Sequence, residues 1–213
     1  MRIVFTGDSI TDVSRNREES WRASSLGAGY PLISAATLLA SHPDSNLEFL
    51  NTAMSGNTIA DLLARWKRDV LNLNPDIIVL LIGINDIWHE ERAISTNSEV
   101  YEEIYKIILE QTYKHNPNLK VILLDPFWCG LVDTNPNLPG KAEWTDKLNL
   151  MRSQIAHLAT SFPVTEVIHT QDIFDKAMKI KGPLYWTDDS VHPSHAGHML
   201  IAKAVIQELE KLI

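Results

Sequence analysis

The sequence predicts an α/β fold in which a five-stranded parallel β-sheet carries helices on both faces. Short apolar stretches alternate five times with longer amphipathic stretches along the 213 residues, and such alternation is typical of parallel strands joined by helices. The segment Asp76–Ile82 contains an uninterrupted apolar run, as expected of a central strand that is buried on both faces. Hydrophobic residues make up 45% of the chain and charged residues 22%, which is ordinary for a globular protein.

Each strand is predicted from a short apolar run that ends at a turn or at a polar residue. The fourth, for example, follows the turn-forming residues Asn116-Pro117-Asn118. The predicted strands are Arg2–Thr6, Leu47–Asn51, Asp76–Ile82, Lys120–Leu124 and Val164–His169.

The helices are predicted from apolar residues at helical spacing. Either Asn57 or Thr58 can cap the second helix. Proline is tolerated in the first turn of a helix, so the last helix is expected to begin at Pro193. The predicted helices are Tyr30–Ala40, Thr58–Asn72, Ser98–Lys114, Glu143–Ser161 and Pro193–Ile213. We expect residues 1–213 to form one domain.

The composition argues against several classes of partner. The net charge of −8 repels phosphate backbones and anionic lipid, so no nucleic acid and no membrane are expected as partners. No apolar run approaches the roughly 20 residues of a membrane span, and no leader-like segment precedes the first strand, which predicts a cytoplasmic protein. The single cysteine, Cys129, is interpreted as a buried apolar residue.

Polar and glycine-containing motifs follow three of the predicted strands. They are Gly7-Asp8-Ser9-Ile10, Ser55-Gly56-Asn57-Thr58 and Gly83-Ile84-Asn85-Asp86. Because ligand sites of parallel sheets lie beyond the carboxyl ends of the strands, we expect the three motifs to meet. The backbone N–H groups of Ser9 and Gly56 and the amide of Asn85 could then stabilise an oxyanion, although glycine and asparagine are also ordinary turn residues.

A fourth motif, Asp189-Ser190-Val191-His192, lies near the end of the sequence. A serine nucleophile needs a general base, and histidine is the usual one because its pKa is near neutrality. A carboxylate must orient the imidazole, and the spacing of Asp189 and His192 suits that task. Asp189 and His192 could therefore serve Ser9 as orienting acid and base, although a lone histidine is also a common surface or helix-cap residue.

Taken together, the four motifs resemble those of the SGNH hydrolases of the GDSL esterase–lipase class. They occur in the family's order and extend from Gly7 to His192. The resemblance implies a three-layer α/β/α sandwich of the flavodoxin-like type with five parallel strands. It implies Ser9 as nucleophile, His192 as base and Asp189 as the acid that orients it. Ser9, Gly56 and Asn85 would form the oxyanion hole, and neither a cofactor nor a metal is implied.

Within this class the chain is similar to bacterial intracellular acetylxylan esterases and other carbohydrate acetylesterases. The similar segments lie around Gly56, around Asn85 and after His192. The expected substrate is therefore a small-molecule or oligosaccharide ester such as an acetylated xylo-oligosaccharide, and a homo-oligomer is allowed. The chain departs from these esterases at Trp186, which is separated from Asp189 by two residues, whereas theirs directly precedes the aspartate.

Three residues are predicted to contact the substrate, namely Asp8, Trp128 and Trp186. Aromatic faces suit sugar rings, although large aromatic side chains also fill gaps between loops and the core. The carboxylates Asp12 and Asp86 are interpreted as supporting residues or turn stabilisers. Asp188 could be mistaken for the triad acid, but the spacing to His192 favours Asp189.

Three other functions compete with a short-chain esterase. A thioesterase or lysophospholipase would use the same triad on longer acyl chains. A metal-dependent hydrolase would use His192, His195 and His198, although on a helix the first and last of these point in different directions. A flavodoxin-like binding module would explain the fold but leaves the four motifs without a purpose, and the chain has no phosphate-binding glycine motif.

Overall fold

The computed structural model describes residues 1–18, 23–90, 100–130 and 141–213. Five parallel strands form one sheet in the order β2-β1-β3-β4-β5, and this confirms the predicted parallel α/β architecture. The strands are β1 (Arg2–Gly7), β2 (Glu48–Asn51), β3 (Ile77–Leu81), β4 (Lys120–Leu124) and β5 (Glu166–Ile168).

The central strand β3 is buried along its whole length, as the uninterrupted apolar run predicts. It pairs on one side with β1, where Ile3 lies opposite Ile77, and on the other with β4, where Leu124 lies opposite Leu81. A strand with a neighbour on each side and helices above and below has no face for water, so each of its side chains belongs to the core.

Helices cover both faces of the sheet. The helices are α1 (Ser9–Asp12), α2 (Tyr30–Ser41), α3 (Ile59–Asp69), α4 (Ile84–Glu90), α5 (Tyr101–His115), α6 (Lys141–Ser161), α7 (Thr170–Met178), α8 (Pro183–Trp186) and α9 (His195–Glu210). The first crossover, from β1 to β2, runs in the opposite direction to those that follow, so right-handed connections place the helices of the later crossovers on the face opposite α2. Accordingly, α3 packs against α5 and α5 against α6, while α9, which follows the last strand, packs against α2 and against α7 and α8.

The boundaries of α3 follow from local chemistry. Thr58 and Asp61 form a capping box, in which each side chain accepts a hydrogen bond from the backbone N–H of the other residue. Lys67 and Arg68 lie in the last turn, where positive charge complements the helix dipole. The helix ends at Asp69, earlier than predicted, and a short 3₁₀ turn over Leu71–Leu73 follows it.

None of the helices in the described ranges is long and apolar enough to cross a bilayer.

Two other predicted elements are also shorter than expected. The last helix begins at His195 because Ser194 is its N-cap and accepts a hydrogen bond from the N–H of Gly197. Pro193 lies before the helix and pairs with Thr187 in an isolated antiparallel bridge. The edge strand β5 contains only Glu166–Ile168.

Four short helices were absent from the prediction, namely α1, α4, α7 and α8. They have four to nine residues, and isolated helices of such length are unstable in water. Their stability comes from packing in the folded protein, so the local pattern of the sequence gives little sign of them. The start of the predicted helix Ser98–Lys114 lies outside the described residues, and α5 begins at Tyr101.

The switch point of the sheet lies between β1 and β3, because the chain leaves β1 toward one edge and returns past it to β3. At their carboxyl ends Gly7 lies opposite Leu81. The two strands approach so closely here that a Cβ on Gly7 would lie 1.9 Å from the carbonyl oxygen of Leu81. The motifs that contain Ser9 and Asn85 therefore begin side by side at one edge of the sheet.

Candidate active site

Ser9 is the first residue of α1, directly beyond the end of β1. The preceding residue, Asp8, is the N-cap, and its Oδ1 accepts a hydrogen bond of 3.0 Å from the N–H of Ile10. Asp8 adopts an extended backbone conformation, so the chain turns sharply from strand to helix. This turn leaves the Ser9 side chain partly exposed at the carboxyl edge of the sheet.

The loop that contains His192 is fixed to the body of the protein. The bridge between Thr187 and Pro193 closes the loop at its base. At its centre, the buried Ser190 accepts a hydrogen bond of 2.8 Å from the N–H of Cys129, which lies beyond β4. Ser190 has a positive φ of 76°, a conformation that reverses the chain direction and that this contact helps to hold.

The structure brings Ser9, His192 and Asp189 into one hydrogen-bonded row. The Oγ of Ser9 lies 2.9 Å from Nε2 of His192, although the residues are 183 positions apart in sequence. The opposite ring nitrogen, Nδ1, lies 2.7 Å from Oδ2 of Asp189. The other oxygen of Asp189 accepts from the backbone N–H groups of Val191 and His192 at 3.0 and 2.8 Å. The carboxylate is thus oriented by the backbone of its own loop.

The charges in this row favour an ionised aspartate and a basic histidine. Burial alone would raise the pKa of Asp189, but hydrogen bonds from the His192 ring and backbone outweigh it and lower that pKa to about 2. In return, the hydrogen bond to Asp189 raises the pKa of His192 against the effect of burial. An imidazole stabilised in its charged form can accept a proton from a hydroxyl more readily.

Gly56 and Asn85 lie in the segments that follow β2 and β3, the two neighbours of β1, which Ser9 follows. Within the described residues, the backbone N–H groups of Ser9 and Gly56 have no hydrogen-bond partner. The amide nitrogen of Asn85 donates to the carbonyl oxygen of Asn57 at 3.1 Å, which uses one of its two hydrogens and leaves the other. These donors are of the kind that an oxyanion requires.

The carboxyl of Asp8 points into the protein. Asp8 is only 1% exposed, and burial raises the pKa of its carboxyl to about 7 against the opposing hydrogen bond from Ile10 and the charge of His192. It therefore offers almost no surface to a substrate, and the substrate contact assigned to it stays a prediction. The structure gives Asp8 the role of capping α1 beneath Ser9.

The two carboxylates interpreted as supporting residues lie below the motifs. Oδ2 of Asp12 accepts from the N–H and the hydroxyl of Ser55 at 2.9 and 2.8 Å. Both oxygens of Asp86 accept from the N–H of Ile59 at 3.1 Å. Each carboxylate thus joins a loop of the site to a neighbouring element, as the sequence predicts.

The aromatic residues near the site differ in their exposure. Trp186 is partly exposed and its indole N–H donates to the carbonyl of Lys181 at 3.0 Å, while Trp128 is 4% exposed and packs against Trp144. Their substrate contacts stay predictions. Trp88 lies beside the row, with its ring centre 6.2 Å from that of His192.

Trp88 is not among the substrate contacts that the sequence predicts. The missing information was α4, because Trp88 follows Asn85 by three residues and such residues share one face of a helix. Had Ile84–Glu90 been recognised as a helix, the same face would have contained both side chains.

The three histidines considered as metal ligands point in different directions. His192 faces Ser9, whereas the buried Nδ1 of His198 accepts from the N–H of Tyr30 at 3.4 Å. Burial and the charges of His195 and His192 lower the pKa of His198 to about 4. Throughout the described part of the chain, no three histidine, cysteine, aspartate or glutamate side chains form a group that could hold a metal ion.

Known proteins share this sequence pattern and this fold. An acetylxylan esterase of Geobacillus stearothermophilus is 34% identical over 212 residues, which cover 98% of this chain and 93% of the relative. The crystal structure of Axe2, an acetylxylan esterase from the same organism, has a TM-score of 0.82 at 29% identity and covers 98% of this chain and 93% of that one.

Further solved structures have the same fold. LAE5, an α/β hydrolase from the metagenome of Lake Arreo in Spain, has a TM-score of 0.79 at 30% identity, with 100% of this chain and 96% of that one covered. Two catalytic mutants of Axe2, in which a serine or a histidine is replaced by alanine, are also similar.

The model of the GDSL-like lipase/acylhydrolase family matches residues 5–200. This range begins within β1 and ends within α9, so it includes all four motifs at the edge of the sheet. Together with the esterase relative that spans nearly the whole chain, the match shows that the chain belongs to the GDSL-like lipase/acylhydrolase family and is a carboxylic ester hydrolase.

Proposed function

We propose that this protein is a serine esterase that removes acetyl groups from carbohydrates such as acetylated xylo-oligosaccharides. The proposal depends chiefly on the 2.9 Å contact between the Ser9 hydroxyl and Nε2 of His192. A serine hydroxyl is a weak nucleophile by itself, and a hydrogen-bonded imidazole that is oriented by a carboxylate supplies the missing base.

In the proposed acylation, Oγ of Ser9 attacks the ester carbonyl carbon while Nε2 of His192 takes the hydroxyl proton. The carbonyl oxygen becomes an oxyanion, which accepts hydrogen bonds from the N–H groups of Ser9 and Gly56 and from the amide of Asn85. The imidazolium, stabilised by Asp189, then protonates the sugar hydroxyl as it leaves. Ser9 retains the acetyl group as an ester.

Deacylation repeats these steps with water as the nucleophile. His192 takes a proton from the water, which attacks the acetyl carbonyl, and the same three donors stabilise the second oxyanion. Collapse of this intermediate returns the proton to Oγ of Ser9 and releases acetate. Acylation and deacylation together consume one water molecule for each ester bond that is cleaved.

Three observations support an acetylated carbohydrate as the substrate. The relative of 34% identity is an acetylxylan esterase, and the net charge of −8 favours a neutral ligand over a polyanion. The tryptophan Trp88 beside His192 adds an aromatic surface next to the reacting atoms, which suits the apolar face of a sugar ring.

The catalytic role of Ser9 is tested by Ser9→Ala. We expect the variant to lose nearly all esterase activity while its melting temperature stays close to that of the parent, because the hydroxyl is partly exposed and small. The matched control is Ser153→Ala on the exposed face of α6, which should retain full activity. A serine-directed organophosphate should label the Ser9 peptide of the parent, and robust turnover by Ser9→Ala would disprove the proposed mechanism.

The substrate class is tested by comparing esters of increasing acyl length and a panel of acetylated oligosaccharides. We expect kcat/KM to be highest for acetate esters and the oligosaccharides to release acetate. A preference for long acyl chains would instead identify a thioesterase or lysophospholipase that uses the same triad.

A further inference from the structure

Arg65 is a buried arginine beneath the loop that contains Gly56. It lies on α3 and is 5% exposed, and burial lowers the pKa of its guanidinium although the charge of Asp69 opposes this effect. A guanidinium withdrawn from water is stable only where its N–H groups find acceptors. The identity of those acceptors therefore shows what the side chain connects.

The neighbouring carboxylate does not account for the burial of Arg65. Nη1 of Arg65 lies 3.5 Å from Oδ2 of Asp69, which is long for a charged hydrogen bond. Arg68 donates to the same carboxylate at 2.6 and 3.0 Å, and this hydrogen bonding lowers the pKa of Asp69. The close partners of Arg65 lie elsewhere.

Arg65 donates to three acceptors that belong to the edge of the sheet. Nη2 donates to the carbonyl of Gly7 at 3.1 Å, Nη1 to the carbonyl of Thr52 at 2.7 Å and Nε to Oδ1 of Asn57 at 2.6 Å. Gly7 ends β1 two residues before Ser9, and Thr52 and Asn57 lie in the loop between β2 and α3. One planar group thus joins the end of β1 to both ends of that loop.

Asn57 connects Arg65 to the third oxyanion donor. Its side chain accepts from Nε of Arg65, while its backbone carbonyl accepts from the amide of Asn85 at 3.1 Å. A displacement of Asn57 would therefore move the Asn85 amide as well as the adjacent Gly56.

Gly56 has no packing of its own to hold it. It is exposed, has a positive φ of 82°, and beyond its own chain neighbours no heavy atom lies within 4 Å of the position that a Cβ would occupy. The residue before it, Ser55, is fixed by hydrogen bonds to Asp12, and the residue after it is fixed by Arg65. The direction of the Gly56 N–H therefore depends on these two anchors.

We infer that Arg65 is a positioning residue of the oxyanion hole, because its guanidinium holds the segments that contain Ser9, Gly56 and Asn85 in a fixed relation. This inference rests on the proposed function, which assigns the three donors to the oxyanion. Arg65 touches none of the reacting atoms and acts through the backbone of Gly7 and through Asn57.

The test is Arg65→Lys. Lysine keeps the positive charge but lacks the planar fork that reaches three acceptors at once. Displacement of catalytic groups by about 1 Å can cost roughly 100-fold in rate, so we expect kcat to fall about 10- to 100-fold while KM changes less than about threefold. Binding of a boronic acid, which forms a tetrahedral adduct with serine, should weaken by a similar factor.

The matched control is Arg68→Lys, the same substitution on the same helix. The side chain of Arg68 is 72% exposed and contacts the same Asp69, so we expect its kcat to equal that of the parent. The acidic limb of the pH–rate profile should be unchanged in Arg65→Lys, because the contacts of His192 are intact. A parental kcat in a folded Arg65→Lys variant would overturn the inference.

A double variant separates positioning from a general loss of stability. Because part of the effect of Arg65 passes through Asn57 to the amide of Asn85, Arg65→Lys combined with Asn85→Ala should lose less activity than the product of the two single losses. Losses that multiply would overturn the inference. If Arg65→Lys does not fold, Asn57→Ala removes the Nε acceptor alone and should still lower kcat, and a parental kcat there would equally overturn it.

The single variant Asn85→Ala distinguishes this inference from the proposed function. A loss of about 100- to 1,000-fold, as is usual for one oxyanion donor, together with a parental Arg65→Lys, refutes only the role of Arg65. A parental rate in Asn85→Ala refutes the proposed oxyanion hole itself.

Discussion

At the scale of residues, the triad assignment depends on distinguishing two adjacent carboxylates. Asp188 is exposed and contacts His192 only through the backbone, where its N–H donates to the His192 carbonyl at 2.8 Å. Asp189 contacts the imidazole directly at 2.7 Å. The spacing in the sequence favours Asp189, and the hydrogen-bond geometry of the loop supports the same choice.

We predict that Asp189→Asn lowers kcat by about 100- to 10,000-fold, because the asparagine no longer stabilises the imidazolium or enforces its tautomer. The hydrogen bond and charge of Asp189 raise the pKa of His192, so their removal should lower that pKa. Because the neutral imidazole is the base, the acidic limb of the pH–rate profile should move to lower pH. Steady-state kinetics across a pH series measures both effects.

Asp188→Asn is the matched control for this prediction. It should keep kcat within a few-fold of the parent and shift the acidic limb only slightly, because the charge of Asp188 raises the pKa of His192 less than the hydrogen bond and charge of Asp189 do. If Asp188→Asn proves more damaging than Asp189→Asn, the triad acid must be reassigned.

Other residue roles were beyond prediction because burial is a property of the folded chain. The sequence does not show, for example, that the carboxyl of Asp8 turns inward to cap α1. Nor does it show that the ring of Trp88 lies against His192. Proximity in sequence indicates the neighbourhood of a side chain and not the direction in which it points.

At the scale of elements, long amphipathic helices were predicted well and short ones were missed. The capping box of α3 is visible in the sequence as Thr58 followed three residues later by Asp61. By contrast, α1 and α4 carry Ser9 and Asn85 but have four and seven residues. The site is thus built on the elements whose stability depends most on tertiary packing.

We predict that Thr58→Ala destabilises the protein by about 1 kcal/mol, as is typical when a helix loses its N-cap. For a chain of this length that loss corresponds to a fall in melting temperature of about 2–4 °C, which calorimetry can measure. The control is Thr37→Ala on the exposed surface of α2, where the hydroxyl donates to Ile33 within the helix. An equal fall in both variants would contradict the importance of the cap.

At the scale of the whole molecule, the order of strands decides which motifs meet. The order β2-β1-β3-β4-β5 places β1 beside β3, so the segments that follow them share the switch point of the sheet. The close approach of Gly7 to the carbonyl of Leu81 is part of this arrangement. A side chain there would separate the two strands from which the Ser9 and Asn85 segments begin.

We predict that Gly7→Ala destabilises the protein by more than about 2 kcal/mol, because the new Cβ meets backbone rather than a movable side chain and the residue has a positive φ of 145°. Urea unfolding measures the effect. The control is Gly182→Ala, where φ is −56° and the Cβ meets nothing within 4 Å. Similar unfolding midpoints for the two variants would show that the strands can separate without cost.

The sequence by itself determined the parallel α/β class and the order of the four motifs, because these depend on local apolar patterns and on residue types, and the resemblance of the motifs to a known family indicated the candidate triad. Only the tertiary structure decided that Ser9 and His192, 183 residues apart, lie 2.9 Å from each other. It also decided that a buried arginine on α3 joins the segments around them. Such contacts arise from the strand order and from packing between distant segments, which no local pattern in the chain encodes.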